Sequence, residues 1–152
     1  MQLSRNFTLE QLLHSDTAIE RGIDNTPAPG HLANLQRLAK GLDDVQACLG
    51  RPLEISSGYR CPELNAAVGG SPTSQHCMGL AADFSCPEFG SPLEVAQALG
   101  KSGIEYDQCI LEFGRWVHIS FSPEPRGRLL TIYDSSAGYL DGLWDREGNQ
   151  LA

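Results

Sequence analysis

Residues Ser74–Asp83 read SQHCMGLAAD, and the fold turns on how this stretch is read. His76 leaves a polar loop, and Asp83 sits inside LAADFS, a short and mostly apolar run of the kind that forms a buried strand. A carboxylate in such a run is costly unless it is paired, hydrogen-bonded or bound to a cation. Two readings follow. Either a turn feeds a buried strand whose polar residues find ordinary hydrogen bonds, or two metal ligands ride on one short element, with Gly79, Ala81 and Ala82 letting the backbone pass close to the ion.

Working outward, the chain changes character around Pro52. Before it the pattern is helical. Thr8 followed by Gln11 predicts a capping box opening a short helix through Leu12 and Leu13. From His31 to Leu49 the residues Leu32, Leu35, Leu38, Leu42, Val45 and Leu49 recur at spacings of three and four, an amphipathic core helix ended by Gly50. After it, LEISSGY reads as a strand that breaks at Gly58, CPELNAAVGG as one small helix ended by a glycine pair, and SPLEVAQALGKSG as a second amphipathic helix capped by Ser91 with Pro92 at its first position. QCILEF, WVHISF and RLLTIY are apolar or alternating runs with no helix between them, which predicts antiparallel strands. The expected fold is α+β: a single domain over residues 1–152 with helices packed on a small antiparallel sheet.

Composition narrows the function. With 41% hydrophobic residues in 152, the chain suits one compact core, and its net charge of -8 argues against phosphate-backbone binding, so no nucleic-acid partner is expected. There is no basic amphipathic helix, no apolar run near the roughly 20 residues a bilayer requires, and no apolar leader with a small-residue cleavage site in MQLSRNFTLEQLL. Synthesis in the cytoplasm without a signal peptide, and no membrane partner, are the expectations. Five cysteines, Cys48, Cys61, Cys77, Cys86 and Cys109, form an odd set without a CxxC pair, which favours reduced thiols; Cys77 stands out only because it adjoins His76.

Of the four histidines, His14 and His31 have polar, surface-like neighbours and read as solvated. His118 differs, lying in the apolar strand WVHIS where an imidazole needs a partner or a metal. Two imidazoles and a carboxylate, His76, His118 and Asp83, form a donor set suited to Zn²⁺ with a fourth position left for water. A core histidine satisfied by hydrogen bonds remains the other reading of the same residues.

SQHCMGLAAD matches the motif SxHxxGxAxD, and the chain resembles the zinc D-alanyl-D-alanine carboxypeptidase family, whose fold is shared with the signalling domain of hedgehog proteins. FTLEQLLHSDTAIERGIDNTP, SSGYRCPELNAAVGG, the zinc motif and WVHIS occur in the order seen in bacterial and phage members, so the resemblance covers about residues 6–121 and leaves 123–152 as a C-terminal extension. It implies that His76, Asp83 and His118 hold Zn²⁺, that Arg60 and Ser74 contact substrate, and that the partner is a peptidoglycan stem peptide. A guanidinium at Arg60 makes chemical sense, because it grips a peptide carboxylate bidentately; a salt bridge with one of the acids, and a plain turn role for Ser74, are the structural alternatives.

Several relatives carry an acid where this chain has Arg115, which cannot accept a proton. Glu112 is the substitute expected as general base. If Gly114 and Arg115 alone formed the hairpin turn, Leu111 would oppose His118 and Glu112 would face away; a three-residue turn or bulge is expected instead, bringing Glu112 directly opposite His118. The resemblance thus implies a zinc peptidase cutting an amide of the stem peptide, as a D-Ala-D-Ala carboxypeptidase or a lytic endopeptidase, expected to be monomeric and to reach the cell wall by phage-type holin release or another export route. The alternative is a zinc-stabilised module that binds peptidoglycan or a partner without catalysis. In the tail, RLLTIYD reads as an additional strand, and Tyr139 and Trp144 are expected to pack over the sheet edge, with a contribution to a substrate surface as the alternative.

Overall fold

The computed structural model describes residues 1–152. Two short helices, α1 (Leu9–Leu13) and α2 (Asp16–Arg21), precede the long α3 (Leu32–Leu49). Then come β1 (Glu54–Ser57), α4 (Pro62–Ala67), a 3-10 turn over Gln75–Met78, β2 (Ala81–Ser85) and α5 (Pro92–Gly100). Strands β3 (Gln108–Glu112), β4 (Trp116–Ser120), β5 (Arg128–Ile132) and β6 (Leu140–Asp141) complete one sheet of order β1-β2-β4-β3-β5-β6.

The expected local signals hold. Thr8 and Gln11 form a reciprocal capping box, as do Ser91 and Glu94, and Gly50 ends α3 in the left-handed region. The helix α2 and the short β6 were not anticipated: α2 is capped by Ser15 but buries only Ala18, too little apolar stripe to read as a period.

The α+β class stands, with one correction to the antiparallel expectation. β5 pairs with β3 in parallel. The chain leaves β4, passes the end of β3, and adds β5 on that strand's far edge. Asp107, just before β3, fixes this passage: its buried carboxylate accepts from the Arg126 backbone N–H at 3.0 Å and from Nε and Nη2 at 2.8 and 2.7 Å. The lack of an intervening helix rules out a helical crossover, but it does not rule out this skip.

Side chains alternate across the sheet with the strand period. Ala82, Phe84, Cys109, Leu111, Val117 and Ile119 face α3 and α5 and join the main core with Leu35, Leu38, Leu42 and Val45. The intervening residues face the other way, and one row crosses all six strands in register: Ser57, Asp83, His118, Ile110, Leu130, Asp141. A bulge in β1 near Ser56 brings Ser57 rather than its neighbour opposite Asp83. This second face carries the polar residues that the sequence singled out.

Gly41 shows how closely the helical layer packs. The Phe121 ring lies directly against it, where a methyl group would overlap three ring carbons. Gly41→Ala is therefore expected to destabilise the protein, against the roughly 1 kcal/mol by which alanine favours a helix interior, because overpacking costs about 1–3 kcal/mol. Thermal unfolding should shift down by about 2–4 °C for each kcal/mol lost; a variant that melts at or above the wild type would contradict the packing.

Candidate metal centre

His76, Asp83 and His118 come from three different elements, yet their ligand atoms all lie within 4.8 Å of one another and all three residues are buried. Asp83 and His118 are direct neighbours across the β2/β4 ladder. His76 arrives from the 3-10 turn, whose capping residue, Ser74, accepts the His76 backbone N–H on its hydroxyl at 3.2 Å, and whose last residue is followed by Gly79 at φ 76. The rings of His76 and His118 meet edge to face, with centroids 5.1 Å apart.

His76 Nδ1 lies 2.7 Å from the carbonyl of Gly58, an acceptor only, so this nitrogen carries the proton and Nε2 turns to Asp83. Gly58 is held in turn: a side chain there would run into the Leu12 carbonyl, while the next residue, Tyr59, donates its backbone N–H to the same oxygen at 2.8 Å. Asp83 Oδ1 then stands 3.2 Å from His76 Nε2 and 3.1 Å from His118 Nδ1. A neutral His76 therefore aims a lone pair at a carboxylate oxygen, and only a proton or a cation reconciles the two. Ligands bound tetrahedrally at about 2.0–2.2 Å sit roughly 3.3 Å apart, the spacing of the two pairs that include Asp83, so the donor set is suited to Zn²⁺.

The second Asp83 oxygen faces Arg60, 3.8 Å from Nη2. Burial alone would raise the Asp83 carboxyl, but the adjacent imidazoles of His76 and His118 outweigh it and hold it well below the usual carboxylate range. His118 moves the other way: desolvation pulls it down, and the Asp83 hydrogen bond and charge more than offset this and raise it.

Glu112 requires a correction. The β3/β4 hairpin has a three-residue connection, Phe113–Arg115, and pairs Glu112 with Trp116, so Ile110 rather than Glu112 stands opposite His118. Phe113 (φ 57) and Gly114 (φ 65) take the left-handed positions. A turn centred on Gly114 moves the register by one residue relative to a Gly114–Arg115 turn, and parity leaves Glu112 on the same face as His118, diagonal to it. Trp116 Nε1 donates to Glu112 Oε1 at 2.7 Å. Burial is the main cause that pushes the Glu112 carboxyl above its ordinary value, with the Asp83 charge adding to it. Arg115 is exposed on the turn.

A cleft of about 970 Å³ opens over this face, lined by the three candidate ligands together with Arg60, Ser74 and Glu112. Arg60 is no surface residue: its Nη1 donates to Asn65 Oδ1 at 3.0 Å and its side chain is 13% exposed. Tyr139 corrects the packing expectation, since it is 57% exposed and lines the cleft, whereas Trp144 does pack, donating its indole N–H to the Asp141 carbonyl. His14 is exposed as expected, paired with Asp16 at the cleft rim; His31 is half-buried against Tyr59. All five cysteines are free thiols.

Two supports escaped the sequence reading. Asn65, buried in α4, holds Arg60 and donates to the Ser71 carbonyl at 2.8 Å, in space left by the absent side chain of Gly70. Gln75, beside His76, donates to Asp107 at 2.7 Å and so ties the metal-site turn to the Arg126 clamp, which lowers the Asp107 carboxyl to about 2. Neither residue stands in an apolar strand, the physical signal that marked Asp83 and His118.

The model of one family, peptidase M15, matches residues 5–120, which span every element that supplies a candidate ligand. The chain belongs to the peptidase M15 family. M15 peptidases are zinc-dependent, and the buried triad of this M15 chain is suited to that ion. A search of curated proteins finds no match. No helix is long and apolar enough to cross a membrane.

Single substitutions His76→Ala, Asp83→Ala and His118→Ala are each expected to lose stoichiometric zinc on dialysis, read by elemental analysis. Gly58→Ala, whose methyl group pushes against the Leu12 backbone and so displaces the carbonyl that orients His76, should weaken zinc by about 10- to 100-fold in competition with a chromophoric chelator. Full zinc retention by Asp83→Ala would remove the triad as the site.

Proposed function

We propose that the protein is a zinc peptidase that hydrolyses an amide bond in peptidoglycan stem peptides, as a D-alanyl-D-alanine carboxypeptidase or a lytic endopeptidase. One observation carries the reading: a buried His-Asp-His donor set and the Glu112 carboxyl line one cleft, with Asp83, His118 and Glu112 on one face of the sheet and His76 brought to them by the 3-10 turn. Zinc held by His76, Asp83 and His118 supplies Lewis acidity, polarising a carbonyl and acidifying water.

The remaining roles fall to the chain. Glu112 takes the proton of the attacking water and hands it to the leaving amine. Its Oε1 is fixed by the Trp116 indole, which holds the carboxylate on the His118 side of the hairpin. Ionised Glu112 is the competent form, so kcat/KM is expected to fall as pH drops through the Glu112 titration. Arg60, on the cleft wall, offers a guanidinium to a substrate carboxylate or carbonyl, with Asn65 and Asp83 setting its direction. Ser74 lines the cleft while capping the turn that carries His76. The wall-bound substrate and the monomeric state rest on the same reading, as does access to the wall through a holin or another export route.

Incubation of the zinc-loaded protein with a stem pentapeptide and a crosslinked muropeptide, followed by mass spectrometry, is expected to give a product that a chelator abolishes. Loss of one terminal alanine identifies a carboxypeptidase and an internal fragment an endopeptidase. No product from either substrate, with zinc fully bound, would instead favour a binding module. Glu112→Gln should keep zinc and lose about 10²–10⁴-fold in turnover. Its residual activity should also lack the acidic limb, and an unchanged pH profile would take Glu112 out of the mechanism.

A further inference from the structure

Leu130 and Tyr139 lie beyond residue 120, where the family match ends, yet both line the cleft. The register explains how Leu130 gets there. From His118 on β4 the row continues through Ile110 on β3 to Leu130 on β5. With strands about 4.8 Å apart, these two side chains extend the floor by roughly 10 Å from His118, the reach of the residue next to a cleaved bond. Ile110, Leu130 and Ile132 form an apolar cluster of their own, on the opposite side of the sheet from the main core.

Tyr139 stands at the edge of this floor. It follows Gly138 (φ 77), and the next residue, Leu140, pairs with Thr131. Leu143 is inserted fully into the main core, the Tyr133 hydroxyl donates to the Trp144 carbonyl at 2.7 Å, and the Arg146 guanidinium lies 4.9 Å from the Tyr133 ring centre. The extension is thus anchored on both sides of an exposed aromatic ring.

The chemistry gives the site a direction. Glu112 shares β3 and a face with Ile110, so the amine it protonates lies on the β3 side of His118. Resting on the peptidase reading above, we propose that Ile110, Leu130 and the Tyr139 ring form a subsite for an apolar side chain on the substrate residue that departs with the amine. A glycine there leaves the subsite empty, and a charged group loses its solvation. Each methylene buried in it is expected to raise kcat/KM about fourfold.

The test uses two series of synthetic stem peptides, one varied at the C-terminal residue and one at an internal residue, each with glycine, alanine or 2-aminobutyrate. In the series whose varied residue leaves with the amine, the wild type should rank 2-aminobutyrate over alanine over glycine by about fourfold per step. Tyr139→Ala and Leu130→Asn should compress each step to within about twofold, while Tyr139→Phe, which keeps the ring, should retain the ranking. The same peptides are titrated into zinc-loaded Glu112→Gln, following the emission of Trp116 in the cleft, so that binding is read without turnover. Cleavage without ranking overturns the subsite alone. Ranked binding without cleavage overturns the peptidase reading and leaves the subsite standing. Tyr139→Phe losing as much discrimination as Tyr139→Ala overturns the apolar subsite, and Tyr139, being exposed, carries the test if Leu130→Asn fails to fold.

Discussion

The Asp83 carboxylate is the constraint around which this molecule is arranged. It sits in the middle of a sheet, nearly out of contact with water, and ionised carboxylates in such places persist only when their charge is met. Here three groups surround it: His118 and, through a shared proton or cation, His76 at one oxygen, and Arg60 at the other. Each partner is itself supported. His76 is oriented by Gly58, and Arg60 by Asn65. Removing any one partner leaves buried charge uncompensated, so local sequence choices as distant as Gly58 and Gly70 answer to a single carboxylate.

The sheet separates stability from chemistry by its two faces. One face buries Phe84, Leu111, Val117 and Ile119 beneath α3 and α5. The other carries Asp83, His118 and Glu112 under the cleft. Because the side-chain period of a strand is two, adjacent residues of WVHIS serve opposite tasks, with Val117 and Ile119 in the core and His118 at the site. The apolar packing keeps the strands in register, and the register holds the ligand atoms within reach of one another.

The region after residue 120 adds to this plan rather than altering it. β5 joins the far edge of β3 in parallel and continues the ligand row with an apolar residue, while the Asp107–Arg126 clamp fixes the link and reaches the metal-site turn through Gln75. One buried acid, Asp83, thus organises the metal site, and a second, Asp107, organises the connection beside it.

Residue type and period determined a good deal without any coordinates: the helix boundaries at Thr8, Gly50 and Ser91, the strand character of LAADFS and WVHIS, and the anomaly of a charged group and an imidazole in apolar runs, which marked Asp83 and His118 before their partner was known. These features are local, set by capping geometry and desolvation cost. Tertiary structure decided the rest. The hairpin register depended on Phe113, a residue whose side chain gives no sign of a left-handed conformation, and the resulting pairing placed Ile110, two residues before Glu112, opposite His118. The parallel placement of β5 depended on an ion pair between Asp107 and Arg126, and the cleft position of Tyr139 on strands it does not adjoin in sequence. Contacts between distant residues carry no periodic signal, so only the folded chain could place them.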